Sequence, residues 1–96
     1  MRKDKEKVLD EVWTEDHVKS FLAVRPFDNT DEDFHMLLKS YQNMRVSDFE
    51  LFVGFFLSEN RNINAVGRDG RNVLAIVSEH RLGAEYAALL SANGAN

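Results

Sequence analysis

Apolar residues recur along this chain at helical spacing, in six segments separated by short polar stretches. A first, highly charged segment covers about 3–12, with Val8, Leu9 and Val12 as its stripe. The second follows Thr14 as N-cap and carries Val18, Phe21 and Leu22; Glu15 and Asp16 suit the positive end of its dipole. Pro26 ends it and pushes Arg25 towards an extended conformation. The third opens at Thr30, with Asp31, Glu32 and Asp33 in its first turn. Phe34, Leu37, Leu38 and Tyr41 then follow at i, i+3, i+4 and i+7. The fourth opens at Ser47, where Glu50 completes a capping box, and runs through Phe49, Phe52, Val53 and Phe56. The fifth covers 72–81, with Val73, Ile76 and Val77, and Gly83 breaks it. The sixth covers 84–92, with Tyr86, Leu89 and Leu90, and Gly94 is placed to stop it. Only the connection 60–70 is long. The pattern predicts an all-α fold, a short stack of helical hairpins pairing the third segment with the fourth and the fifth with the sixth.

The fourth segment differs from the others. On a helical wheel Leu51, Phe55, Phe52, Phe56, Phe49, Val53 and Leu57 spread over roughly 240°. A helix that apolar is covered on two sides, so it is expected at the centre. Gly54 within it is expected to allow a neighbouring helix to approach closely. The sixth segment confines Tyr86, Leu89 and Leu90 to about 100°, as an outer helix should. Stripes this narrow let a monomer cover its own core and leave a weak homodimer open.

Composition narrows the function classes. The 96 residues contain no Cys, which excludes disulfides, thiolate metal sites and thiol nucleophiles and fits a reducing compartment. Net charge is −4, which disfavours nucleic acid as a partner. The longest apolar stretch, 51–57, is far short of the about 20 residues a membrane span needs. The charged start of the chain resembles neither a secretory signal nor a transit peptide, so a cytoplasmic protein with no membrane contact and nothing removed is expected.

Candidate chemistry is sparse. The acidic run 28–33 has no central Gly, and Lys39 stands where a calcium loop needs Glu, so it reads as a helix cap. His17, His35 and His80 lie on three different segments without zinc-protease spacing. Gly67-Arg68-Asp69-Gly70 lacks the Lys-Ser/Thr of a phosphate loop and reads as a turn, with Gly supplying a positive φ. No Ser lies in a nucleophile elbow. No metal, cofactor or catalytic constellation is expected. Arg45, Arg61, Arg68 and Arg71 cluster around the long connection while the acids concentrate elsewhere, an asymmetry that reads as ordinary surface charge or as a patch for an acidic partner.

Three stretches carry a family resemblance: Asn62-Ile63-Asn64-Ala65, Asp69-Gly70-Arg71-Asn72-Val73-Leu74, and Leu89-Leu90-Ser91-Ala92-Asn93-Gly94-Ala95-Asn96. They resemble the ankyrin repeat, D-x-x-G-x-T-P-L-H-x-A followed by two helices and L-L-x-x-G-A-D-x-N-A. The run 56–65 looks like the same terminator with its Gly and Ala replaced, and Phe34-His35-Met36 resembles the L-H-L portion. Asn72-Val73 stands where the family has Thr-Pro, and the second helix of each unit carries about one extra residue. The resemblance implies one domain of two ankyrin-like units, 30–65 and 66–96, with 1–29 as an N-terminal capping helical segment in place of a third unit. His35 is expected to make a loop hydrogen bond.

The resemblance further implies a non-catalytic protein–protein interaction module, binding through loop tips and the concave helix face without a cofactor. The partner-binding residues it indicates are His35 on the earlier unit and Val66, Arg68 and Arg71 on the finger between the units. A second reading, from the Phe-rich fourth segment, is a small helical domain holding an apolar ligand in an internal pocket.

Overall fold

The computed structural model describes residues 13–96. The first predicted segment, 3–12, lies outside them. Five α-helices follow: α1 (Glu15–Ser20), α2 (Glu32–Asn43), α3 (Val46–Ser58), α4 (Val73–Val77) and α5 (Ala84–Ala92). A 3-10 turn, Phe21–Ala23, extends α1. No strand forms among the described residues beyond one antiparallel bridge between Val66 and Asn72.

Local chemistry sets the helix starts. Thr14 caps α1, its hydroxyl accepting the His17 N–H at 3.0 Å. The α2 cap is Asp31 rather than the expected Thr30. Its carboxylate accepts the N–H groups of Asp33 and Phe34 at 2.8 and 3.1 Å, and the Thr30 N–H is already given to Asp28 at 2.9 Å. The capping box expected at Ser47 is not the start of α3. Met44 is buried against the core, so the chain turns there, and the helix begins at Val46 with Arg45 in the cap position. Asn72 caps α4 by accepting the Ala75 N–H at 2.9 Å. That helix is shorter than the expected 72–81. Tightened i→i+3 bonds from Glu79 to Ile76 and from His80 to Val77 close it early. The cause is the approach of Gly83, where a Cβ would lie 2.5 Å from the Val77 carbonyl oxygen.

Two helix ends share one design. In α5, Ala95 N–H bonds Leu90 C=O at 3.0 Å and Gly94 N–H bonds Ser91 C=O at 3.2 Å, with Gly94 at φ +106. That is a Schellman termination. In α3, Arg61 N–H bonds Phe56 C=O at 3.3 Å and Asn60 N–H bonds Leu57 C=O at 2.9 Å, with Asn60 at φ +62. Asn is the side chain best suited to stand in for Gly at that conformation. The fully buried Phe56 and Leu90 occupy equivalent places.

Packing follows the stripes. α3 contacts α1, α2 and α5, and α4 packs on α2 and α5. Phe49, Phe52 and Phe56 of α3 are completely buried, with neighbouring ring centroids 6.4 and 5.8 Å apart. Met36, Leu37, Val18, Val73, Val77 and Leu90 close around them. Two parts of the fourth-segment expectation fail. Leu51 remains 40% exposed, so the apolar arc is only partly covered. Gly54 faces open space: a Cβ there would have no neighbouring atom within 4 Å, so no helix approaches it.

Side-chain hydrogen bonds tie the helix ends together. Asp33, in the first turn of α2, accepts Arg61 Nη1 at 2.7 Å and the Asn62 N–H at 2.9 Å, just past the end of α3. Asn64 accepts the Asn72 side-chain amide at 3.1 Å and the Asn96 N–H at 2.9 Å, and donates to Gly94 C=O at 3.2 Å. Asn64 therefore ties the loop after α3 to the cap of α4 and to the chain just past α5. At the opposite end Tyr86 donates to Met44 C=O at 2.6 Å, and Tyr41 lies 2.6 Å from His80 Nδ1 with the rings stacked.

Candidate interaction surface

The stretch 66–72 forms a finger. Val66 bridges Asn72, and Gly67 N–H reaches Arg71 C=O at 2.9 Å. Gly70 N–H closes the tip onto Gly67 C=O at 3.0 Å, with Gly70 at φ +82, a conformation that suits Gly. Asp69 accepts the Arg71 N–H at 3.1 Å, as Asp does in a self-bonded turn. The finger comes close to α2 at Gly67. A Cβ on Gly67 would lie 2.6 Å from the Phe34 ring.

The four residues expected to bind a partner are placed as follows. Val66, at the base of the finger, is 47% exposed. Arg68 reaches from the tip to Asp28 at 3.2 Å. Arg71 lies at the far side of the finger, pairing with Asp69 at 3.0 Å and Glu79 at 2.5 Å. His35 is half-buried in the first turn of α2, and its ring has no hydrogen-bond partner among the described residues, so the expected loop bond is not formed. It shares that turn with Phe34, the residue under Gly67.

The charge asymmetry expected from the sequence does not survive folding. The acidic run lies against the basic connection: Asp28 pairs with Arg68, and Asp33 with Arg61, which also bonds Glu59 at 3.1 Å. Thr30 holds the Asp28 carboxyl below its ordinary range through side-chain and backbone hydrogen bonds, and Arg68 adds to it. Arg71 does the same to Asp69. The arginines are raised by the same bonds, Arg61 chiefly by Asp33 and Arg71 chiefly by Glu79. Arg61, Arg68 and Arg71 thus each have an acidic neighbour within the chain.

Folding also reveals a residue missed in the sequence. Phe27 is fully exposed, one position from the Asp28–Arg68 pair that ties its loop to the finger tip. The available signal was its isolation. It follows Pro26 and precedes Asp28-Asn29, outside every helical stripe.

His17 stacks on Trp13 at 4.1 Å, and His80 is engaged by Tyr41, so the three His residues remain apart in different contacts. Among the described residues no group of three or more His, Asp or Glu side chains could hold a metal ion. None of the described helices is long and apolar enough to cross a membrane. No family model, curated protein or solved structure matches this chain.

Proposed function

We propose that the chain is an ankyrin-like, non-catalytic protein-interaction module that binds another protein through its finger face. The observation that carries the reading is the joining of two loops by Arg68 and Asp28. It brings Asp28, the residue after the fully exposed Phe27, to the tip of a finger on which Val66 is 47% exposed. A projecting aromatic next to an Arg is the composition of an interface hot spot. The ankyrin-like architecture is supported by the repeated Schellman ends at Asn60 and Gly94, by the side-chain hydrogen bonds that tie the helix ends together, and by the finger between them. The segment before α2 serves as the cap of the stack: Val18 is fully buried, α1 packs on α3, and the 3-10 turn packs on α2.

The reading assigns partner binding to Phe27, Val66 and Arg68, together with His35 and Arg71. A cytoplasmic location and a monomeric or weakly dimeric state belong to the same reading. The alternative of an internal ligand pocket has less support, because the Phe49, Phe52 and Phe56 rings fill the centre against one another. Affinity purification from the native cell, run in parallel with the original chain and a Phe27→Ala/Val66→Glu double variant, tests the proposal. A protein retained by the first and lost by the second supports it. Equal retention of every captured protein contradicts it.

A further inference from the structure

We propose that Asn93 is a deamidation site gated by the last turn of α5. Asn93 is exposed and is followed by Gly94, so no side chain shields the Gly94 amide from the Asn93 carboxamide. In the reaction the Gly94 nitrogen loses its proton to a base in solution and attacks Cγ of Asn93. The new C–N bond closes a succinimide, the Cγ–Nδ2 bond breaks, and the leaving nitrogen takes a proton from the solvent and departs as ammonia. Water then opens either C–N bond of the ring, giving Asp or isoaspartate.

The folded geometry blocks the first step in three ways. Asn93 has ψ 13, which directs the Gly94 nitrogen away from its side chain. The Gly94 N–H is held by Ser91 C=O at 3.2 Å. The carboxamide is held by its own bond from Nδ2 to Leu89 C=O at 2.8 Å. All three are released together when the Schellman turn opens, and helix ends open more readily than cores. Asn93 therefore reacts at its open-turn rate multiplied by the fraction of time the turn is open.

The product does not close again. Asp lacks the Nδ2 donor that bonded Leu89 C=O, and it adds a negative charge at the negative end of the helix dipole. Isoaspartate routes the backbone through an extra methylene, which displaces Ala95 from its bond to Leu90 C=O and Gly94 C=O from Asn64. The modification is a one-way loosening of the clamp at Asn64. The terminator that makes the fold is also the place where it ages.

The test incubates the full chain at mildly alkaline pH and follows Asn93 by peptide mass spectrometry. Three samples are compared: the native protein, the protein in urea, and Asn64→Ala, which removes the clamp. The expected order is native slowest, Asn64→Ala faster and unfolded fastest, with native about tenfold or more below unfolded because a hydrogen-bonded turn must open first. Equal rates in native and unfolded protein, or no reaction at Asn93 in urea, would overturn the proposal. Amide hydrogen exchange of Asn93→Asp tests the consequence separately. Faster exchange at Asn93, Gly94 and Ala95 is expected, and unchanged exchange there would contradict the loosening.

Discussion

The Oδ1 atom of Asn64 accepts the backbone N–H of Asn96 at 2.9 Å, joining the loop after α3 to the chain beyond α5. The same side chain bonds Asn72 and Gly94, so the base of the finger and the terminus of α5 share one amide. Asn64→Ala removes all three bonds. The expected cost is about 1–3 kcal/mol. Thermal unfolding should show a fall in Tm of roughly 4–8 °C per kcal/mol for a domain of this size.

Three glycines should respond differently to Ala. Gly54 is helical and has open space around it, so Gly54→Ala should stabilise the fold by up to about 1 kcal/mol. Gly83→Ala drives a methyl into the Val77 carbonyl, and Gly67→Ala drives one into the Phe34 ring. Each should destabilise by about 1–3 kcal/mol through forced backbone or ring displacement. Denaturant melts of the three variants check the signs.

Phe27→Ala removes no buried surface, since the ring is fully exposed. Its stability should stay within about 0.5 kcal/mol of the original chain. A circular dichroism melt should be unchanged while binding through the finger face is lost.

The fragment 30–96 lacks α1 and its 3-10 turn, which cover α3 and α2. It should expose the apolar surface now covered by Val18 and by Trp13, Phe21 and Leu22, and aggregate on expression. A soluble fragment with a cooperative melt would contradict the capping role.

Acid and alkali should act at opposite ends of the fold. Asp28 and Asp69 titrate below the usual 3.8 in the folded chain. Their contribution is therefore complete above that value and is lost as pH falls through the depressed folded pKa. Tyr86 titrates above the usual 10.0, first because it is desolvated and then because Tyr41, Glu85 and Asp48 are near. Its contribution is complete below 10.0 and is lost as pH rises through the raised folded pKa. Amide exchange against pH should show the finger loosening first in acid and the Tyr86 end loosening first in alkali.

The helices and most of their buried faces were legible in the sequence because an i, i+3, i+4 stripe is a local signal. Phe49, Phe52, Val53 and Phe56 are all buried, and α5 spans the expected residues. Gly94 was legible as a stop for the same reason. The shortness of α4 was not, because it depends on where Gly83 folds back against Val77. The finger turn could be read from Asp69-Gly70. The pairing of the acidic run with the arginines could not, because Asp28 and Arg68 are far apart in the chain and meet only once it has folded. Phe27 was missed because periodicity has nothing to say about a single aromatic in a loop.

The most direct test of the interaction surface is site-specific photo-crosslinking in the native cell. A photoreactive phenylalanine analogue placed at Phe27 or Val66 should capture a partner protein, while the same analogue at the exposed Ala88 of α5 should capture none. Capture at Ala88 with none at Phe27 or Val66 would contradict the account.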